Sequence, residues 1–145
     1  MAFQHDVHAQ AYERVQQLMT ELYGELYSTD DDFPGFAVDA GSTRVQIAVL
    51  PWGDSDACVK VFAWVIIGAE LTPDLMKYLL QKNDETLFGG FGIDSEGDIF
   101  FKHAILATDL DKSELRAAIL AARFSADEYD DEIQQRWGGQ RLADR

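Results

Sequence analysis

The stretch ACVKVFAWVIIGA, residues 57–69, decides the fold. In an extended chain successive side chains point to opposite faces. Val59, Val61, Ala63, Val65 and Ile67 therefore share one side, and Lys60, Phe62, Trp64 and Ile66 share the other. A strand that is apolar on both sides reads as the centre of a sheet covered on both faces. The apolar run from Val61 to Ala69 is nine residues, far short of the ~20 needed to span a bilayer.

Two further strands precede it. Residues 36–39 and 43–50 flank Ala40-Gly41-Ser42, a short connection that predicts a hairpin. In the second of these, Val45, Ile47 and Val49 alternate with Arg44, Gln46 and Ala48. Upstream, Val7, Ala11, Val15, Leu18, Leu22 and Leu26 recur at helical steps, widened by Tyr12, Met19 and Tyr23, and predict a helix over 6–27. Asp30 to Asp32 and Pro34-Gly35 make a loop.

Downstream, Thr72 and Pro73 open a second helix that buries Leu75, Met76, Leu79 and Leu80 and ends near Asn83-Asp84. Leu71 and Met76 are placed to form a hydrophobic staple. Residues 87–93 and 99–107 form another hairpin around 94–98. Asp111 and Glu114 form a capping box for the last helix, with Leu110 set against Leu115. Its apolar side runs through Ile119, Ala122, Ala126, Tyr129, Ile133 and Trp137 to a glycine stop at Gly138-Gly139. The order αβββαββα predicts an α+β fold: one domain over 1–145, with an antiparallel five-stranded sheet packed with helices.

Composition narrows the function. Among 145 residues, 26 are acidic and 12 basic, for a net charge of −14. That field disfavours phosphate backbones and anionic lipid. Residues 1–10 lack the basic and apolar regions of a secretory signal. With a single cysteine, the expected location is the cytoplasm. Cys58 reads as a small buried hydrophobe.

Catalytic and metal readings are weak. His5 and His8 sit one helical turn apart but lack a third ligand, and no nucleophile–histidine–carboxylate spacing is visible. His103 reads as a core-edge residue with a hydrogen-bonded ring. The run Phe88 to Gly92 lacks the lysine and the following helix of a phosphate loop, so close backbone packing explains it. Asp94, Glu96 and Asp98 around Gly97 read as a hairpin turn rather than a calcium loop. The acidic residues Asp127, Glu128, Asp130, Asp131 and Glu132 read as a solvated helix face. The expectation is a non-enzyme with no catalytic residue, metal or cofactor.

What remains is a surface. Without a bulge, strand parity gathers Arg44, Gln46, Lys60, Phe62, Trp64, Ile66, Phe100 and Lys102 on the second sheet face. Either a helix covers this face while the lysine stems reach past it, or it binds protein, a second copy or an apolar segment.

Asn83, Leu87-Phe88-Gly89 followed by Phe91, Asp94 to Gly97, Leu115, and Ala126 to Asp130 before Gly138-Gly139 together resemble the YbjN-like family. That family is described as sensory-transduction regulators and is related to type III secretion chaperones. The resemblance implies a homodimeric, non-catalytic fold; its secretion relatives hold extended client segments. The expected function is thus a protein- or peptide-binding module, chaperone-like or regulatory. Single-stranded nucleic-acid binding through the aromatic and basic face, or small-molecule binding near His103, are the alternatives; the charge makes nucleic acid the weaker partner.

Overall fold

The computed structural model describes residues 2–145. Helix α1 (Asp6–Tyr23) begins at His5, whose Nδ1 accepts from the His8 backbone N–H at 3.1 Å. It buries Ala11, Val15, Leu18 and Met19. The helix stops at Tyr23 rather than at 27, because Gly24 takes φ 63 and its N–H closes on the Thr20 carbonyl. Tyr27 then folds back: its hydroxyl lies 2.8 Å from Thr20 Oγ1 and its ring 5.8 Å from that of Phe36. Leu26, expected on the buried stripe, is 81% exposed. The released chain forms β1 (Ser28–Thr29), so the sheet has six strands rather than five.

Strands β2 (Gly35–Ala40), β3 (Thr43–Trp52) and β4 (Asp56–Ile66) form a meander. Helix α2 (Pro73–Glu85) leads to β5 (Gly90–Ile93) and β6 (Ile99–Leu106); α3 (Lys112–Trp137) and a 3-10 turn (Leu142–Asp144) complete the chain. The antiparallel sheet has the order β1-β2-β3-β4-β6-β5.

One face carries the core. Register places Val61 between Ile47 and His103, and Ala63 beside Phe101. Val59, Val61, Ala63 and Phe101 are fully buried there, in one cluster with Val15 of α1 and Leu115, Ile119 and Ala122 of α3. Each valine, leucine, isoleucine or phenylalanine among them contributes roughly 1.5–3 kcal/mol when fully buried.

The register shifts between Trp64 and Ile66: Trp64 pairs with Phe100, and Ile66 with the next residue, Ile99. This bulge turns Ile66 into the core, where it is fully buried. Ile66 therefore does not belong to the second face. The strand ends here rather than at 69, and Ile67 instead bridges to Gln140.

The helix caps match expectation. Thr72 Oγ1 accepts from Leu75 N–H at 3.1 Å, and Asp111 with Glu114 forms a complete capping box. Thr72→Ala should lower stability by about 1 kcal/mol, read as an earlier urea midpoint at unchanged slope. In α2, Tyr78 is buried and Leu80 is 69% exposed. Tyr78 rolls the helix toward α3, donating to Glu132 Oε2 at 2.6 Å and packing 5.2 Å from Trp137. Leu71 stays 42% exposed. Asn83 marks where β5 begins: its Oδ1 accepts from Phe91 N–H at 2.6 Å and its Nδ2 donates to the Phe91 carbonyl. The preceding Leu87 and Phe88, expected within the strand, lie outside it and exposed.

Candidate functional site

The opposite sheet face carries no helix among the described residues. Register brings Gln46 beside Phe62, Ala48 beside Lys60, Phe62 beside Lys102 and Trp64 beside Phe100. Arg44 joins them across from Asp39. Of the residues expected here, Arg44, Gln46, Lys60, Phe62, Trp64, Phe100 and Lys102 share the face; Ile66 alone leaves it.

Local contacts set each side chain. The Phe62 and Trp64 rings meet edge-on at 5.5 Å, and Lys60 Nζ stands 4.8 Å from the Phe62 centroid. Trp64 Nε1 donates to Asp94 Oδ2 at 3.0 Å, while Asp94 Oδ1 accepts from the N–H groups of Glu96 and Asp98. The Trp64 bond, followed by the turn's backbone donors, holds the Asp94 carboxyl below the usual carboxylate range. The Asp94 turn, with Gly97 at φ 85, thus pins the indole in place. Arg44 is fixed by Asp39 at 3.0 Å and Ser28 Oγ at 2.6 Å. Phe100 lies over Gly92, where a Cβ would stand 2.7 Å from its ring.

Beside these aromatics lies a groove of about 380 Å³ between Phe33, Ala37, Arg44, Ala48, Phe62 and Trp64. Phe33 was not anticipated. Its one sequence signal is an aromatic standing directly after Asp30 to Asp32; in the fold its ring approaches Gly35 on this face. Cys58 belongs here too, half-buried between Leu50 and Leu106 rather than in the core. Burial pushes its thiol pKa up, against the lowering fields of Lys102 and Lys60.

His5 and His8 make hydrogen bonds within the fold. His8 is buried; its Nδ1 accepts from Gln4 N–H, so Nε2 carries the proton and donates to the Val49 carbonyl at 2.7 Å. His103 lies on the core side, its pKa lowered by burial, with Phe88 edge-on at 5.8 Å; among the described residues its ring has no hydrogen bond, contrary to expectation. In the acidic run, Asp130 is the exception to a solvated face: it is 2% exposed and faces Ser42.

Helices thus back one face of the antiparallel sheet and leave the Phe62 face without one. The chain belongs to the family TY-Chap1, described as T3SS (YopN, CesT) and YbjN peptide-binding chaperone 1, whose model matches residues 9–145. Solved structures share the fold. The ExsC–ExsE complex matches at TM-score 0.68 and 19% identity, covering 84% of this chain and 95% of that one. The HopA1–SchA chaperone–effector complex matches at TM-score 0.64 and 8% identity, over 85% and 96%. YbjN from E. coli matches at TM-score 0.59 and 12% identity, over 83% and 92%. No curated protein matches the chain in sequence. Among the described residues no helix is long and apolar enough to cross a membrane.

Proposed function

We propose that this protein is a non-enzymatic, cytoplasmic chaperone or regulator that works as a homodimer, with residues 1–145 acting as one domain. It holds an apolar segment of a client protein on the open face, through Arg44, Lys60, Phe62, Trp64, Phe100 and Lys102. The observation that carries this reading is the helix-free face on which Phe62 and Trp64 border the groove. Phe62, Trp64 and Phe100 are half-buried on this face, which leaves ring edges for an apolar segment to cover. The family's description as peptide-binding supports it.

A labelled peptide of alternating leucine and serine is expected to bind, and Phe62→Gln to weaken it about tenfold, a loss of ~1.4 kcal/mol, read by fluorescence anisotropy. Binding of equal strength to both proteins would remove the face from the mechanism.

Self-association is favoured by a separate group of exposed side chains. Leu71, Leu80, Leu87 and Ile93, at 42%, 69%, 91% and 44% exposure, lie on α2, on the segments flanking it, or on β5. Light scattering should give twice the chain mass of 16.3 kDa, and Leu80→Asp with Leu87→Asp should halve it. A wild-type protein that stays monomeric contradicts the dimer.

A further inference from the structure

Lys60 and Lys102 flank Phe62 on the open face. Lys102 is its cross-strand partner, and Lys60 precedes it by two residues on the same side of β4. In this register the two lysines are diagonal neighbours, with Cα atoms about 7–8 Å apart. Neither makes an ion pair among the described residues, although acidic residues outnumber basic ones 26 to 12 in the chain.

The carboxylates nearby are engaged elsewhere. Asp39 holds Arg44, Asp94 holds the Trp64 indole, and Asp56 accepts from Thr108 Oγ1 and the Ala57 N–H. Lys102 and Lys60 both act on the Cys58 thiol, with the Asp56 carboxylate opposing them. A strongly acidic protein thus places two lysines without an ion-pair partner among the described residues beside the half-buried ring of Phe62.

We propose that the client segment is acidic as well as apolar: an extended strand that seats a hydrophobic side chain on Phe62 and pairs carboxylates with Lys60 and Lys102. This rests on the peptide-binding reading above. The spacing fits, because alternate residues of an extended segment lie about 7 Å apart. A side chain two positions from the one on Phe62 therefore arrives over Lys60. The net charge of −14 repels an acidic segment at long range, but exposed charges are screened beyond about 8 Å at physiological salt. Local pairing then decides the preference.

The test uses three labelled peptides with leucine at every fourth position, serine at the odd positions between, and glutamate, glutamine or lysine two residues from each leucine, so that leucine and the varied residue share one strand face. The glutamate peptide is expected to bind about tenfold tighter than the glutamine one, equivalent to ~1.4 kcal/mol, and the lysine one more weakly still. In the Lys60→Gln/Lys102→Gln double variant the ratio of glutamate-peptide to glutamine-peptide affinity should fall from about ten to about one. Equal binding of the three, or a preference for lysine, overturns the acidic client and leaves peptide binding standing. A glutamate preference that survives in the double variant overturns the role of these lysines. If none of the peptides binds, both this proposal and the reading beneath it fall.

Discussion

Gly139→Ala is expected to destabilise the protein by about 3 kcal/mol, combining strain of ~1–2 kcal/mol for a left-handed backbone with overpacking of similar size. Gly139 has φ 88, and a Cβ there would stand 2.5 Å from Ile66 Cγ2 and 2.7 Å from the Ile67 carbonyl oxygen. Neither neighbour can yield easily. Ile66 is fully buried, and Ile67 exchanges 2.8 Å hydrogen bonds in both directions with Gln140. The substitution pushes the chain after α3 off the end of β4. At 2–4 °C per kcal/mol the melting temperature should fall by roughly 10 °C. Gly138→Ala is the matched control: φ is 78, but a Cβ there meets nothing within 4 Å, so only the backbone cost of ~1–2 kcal/mol remains. Equal losses in the two variants would show that packing against Ile66 and Ile67 is not what makes Gly139 necessary.

Asp130→Asn is expected to stabilise the protein at neutral pH by about 1–2 kcal/mol, the cost of a buried polar group left without a good partner. Ser42 Oγ lies 2.6 Å from Asp127 Oδ1 and 2.9 Å from Asp130 Oδ2. A serine hydroxyl has one proton to give, so with both carboxyls ionised one contact lacks it. Burial, and then the like charge of Asp131, raise the Asp130 pKa against the opposing Ser42 bond and Arg141. A carboxyl whose pKa is raised by folding contributes stability that is complete below its unfolded value and lost as pH rises through the folded one. Asparagine at 130 can donate to Ser42 at every pH, freeing the hydroxyl proton for Asp127. In urea titrations the advantage of Asp130→Asn over wild type should be largest near neutrality and close on acidification toward pH ~4. A pH-independent difference, or a less stable variant at neutral pH, refutes the assignment.

The caps at Thr72 and Asp111 were legible because the atoms that bond lie within three residues of each other. The alternation of β4 up to Val65 was legible for a related reason: side-chain parity is local to a strand. Parity failed at Ile66. Val65, Ile66 and Ile67 are all apolar, so nothing in their order marks a bulge, and one inserted residue exchanges the faces. Strand β1 was missed because Ser28 and Thr29 carry no alternation and pair only across a loop with Ala37 and Phe36. Asp130 looked like its solvated neighbours until the β2–β3 turn, far away in sequence, came to lie over it.

The candidate face divides the same way. Composition and period alone set the α+β class, the two-sided apolar strand, and the placing of Arg44, Lys60, Phe62, Trp64, Phe100 and Lys102 together, because strand pairing preserves parity wherever the ladder is regular. Tertiary structure decided that α1 and α3 both pack against the Val61 side and leave the Phe62 side open. It also brought Asp94 to the Trp64 indole and Phe33 to the rim of the groove. Those outcomes depend on how helices and turns from distant parts of the chain divide one sheet between them, and no local spacing encodes that division.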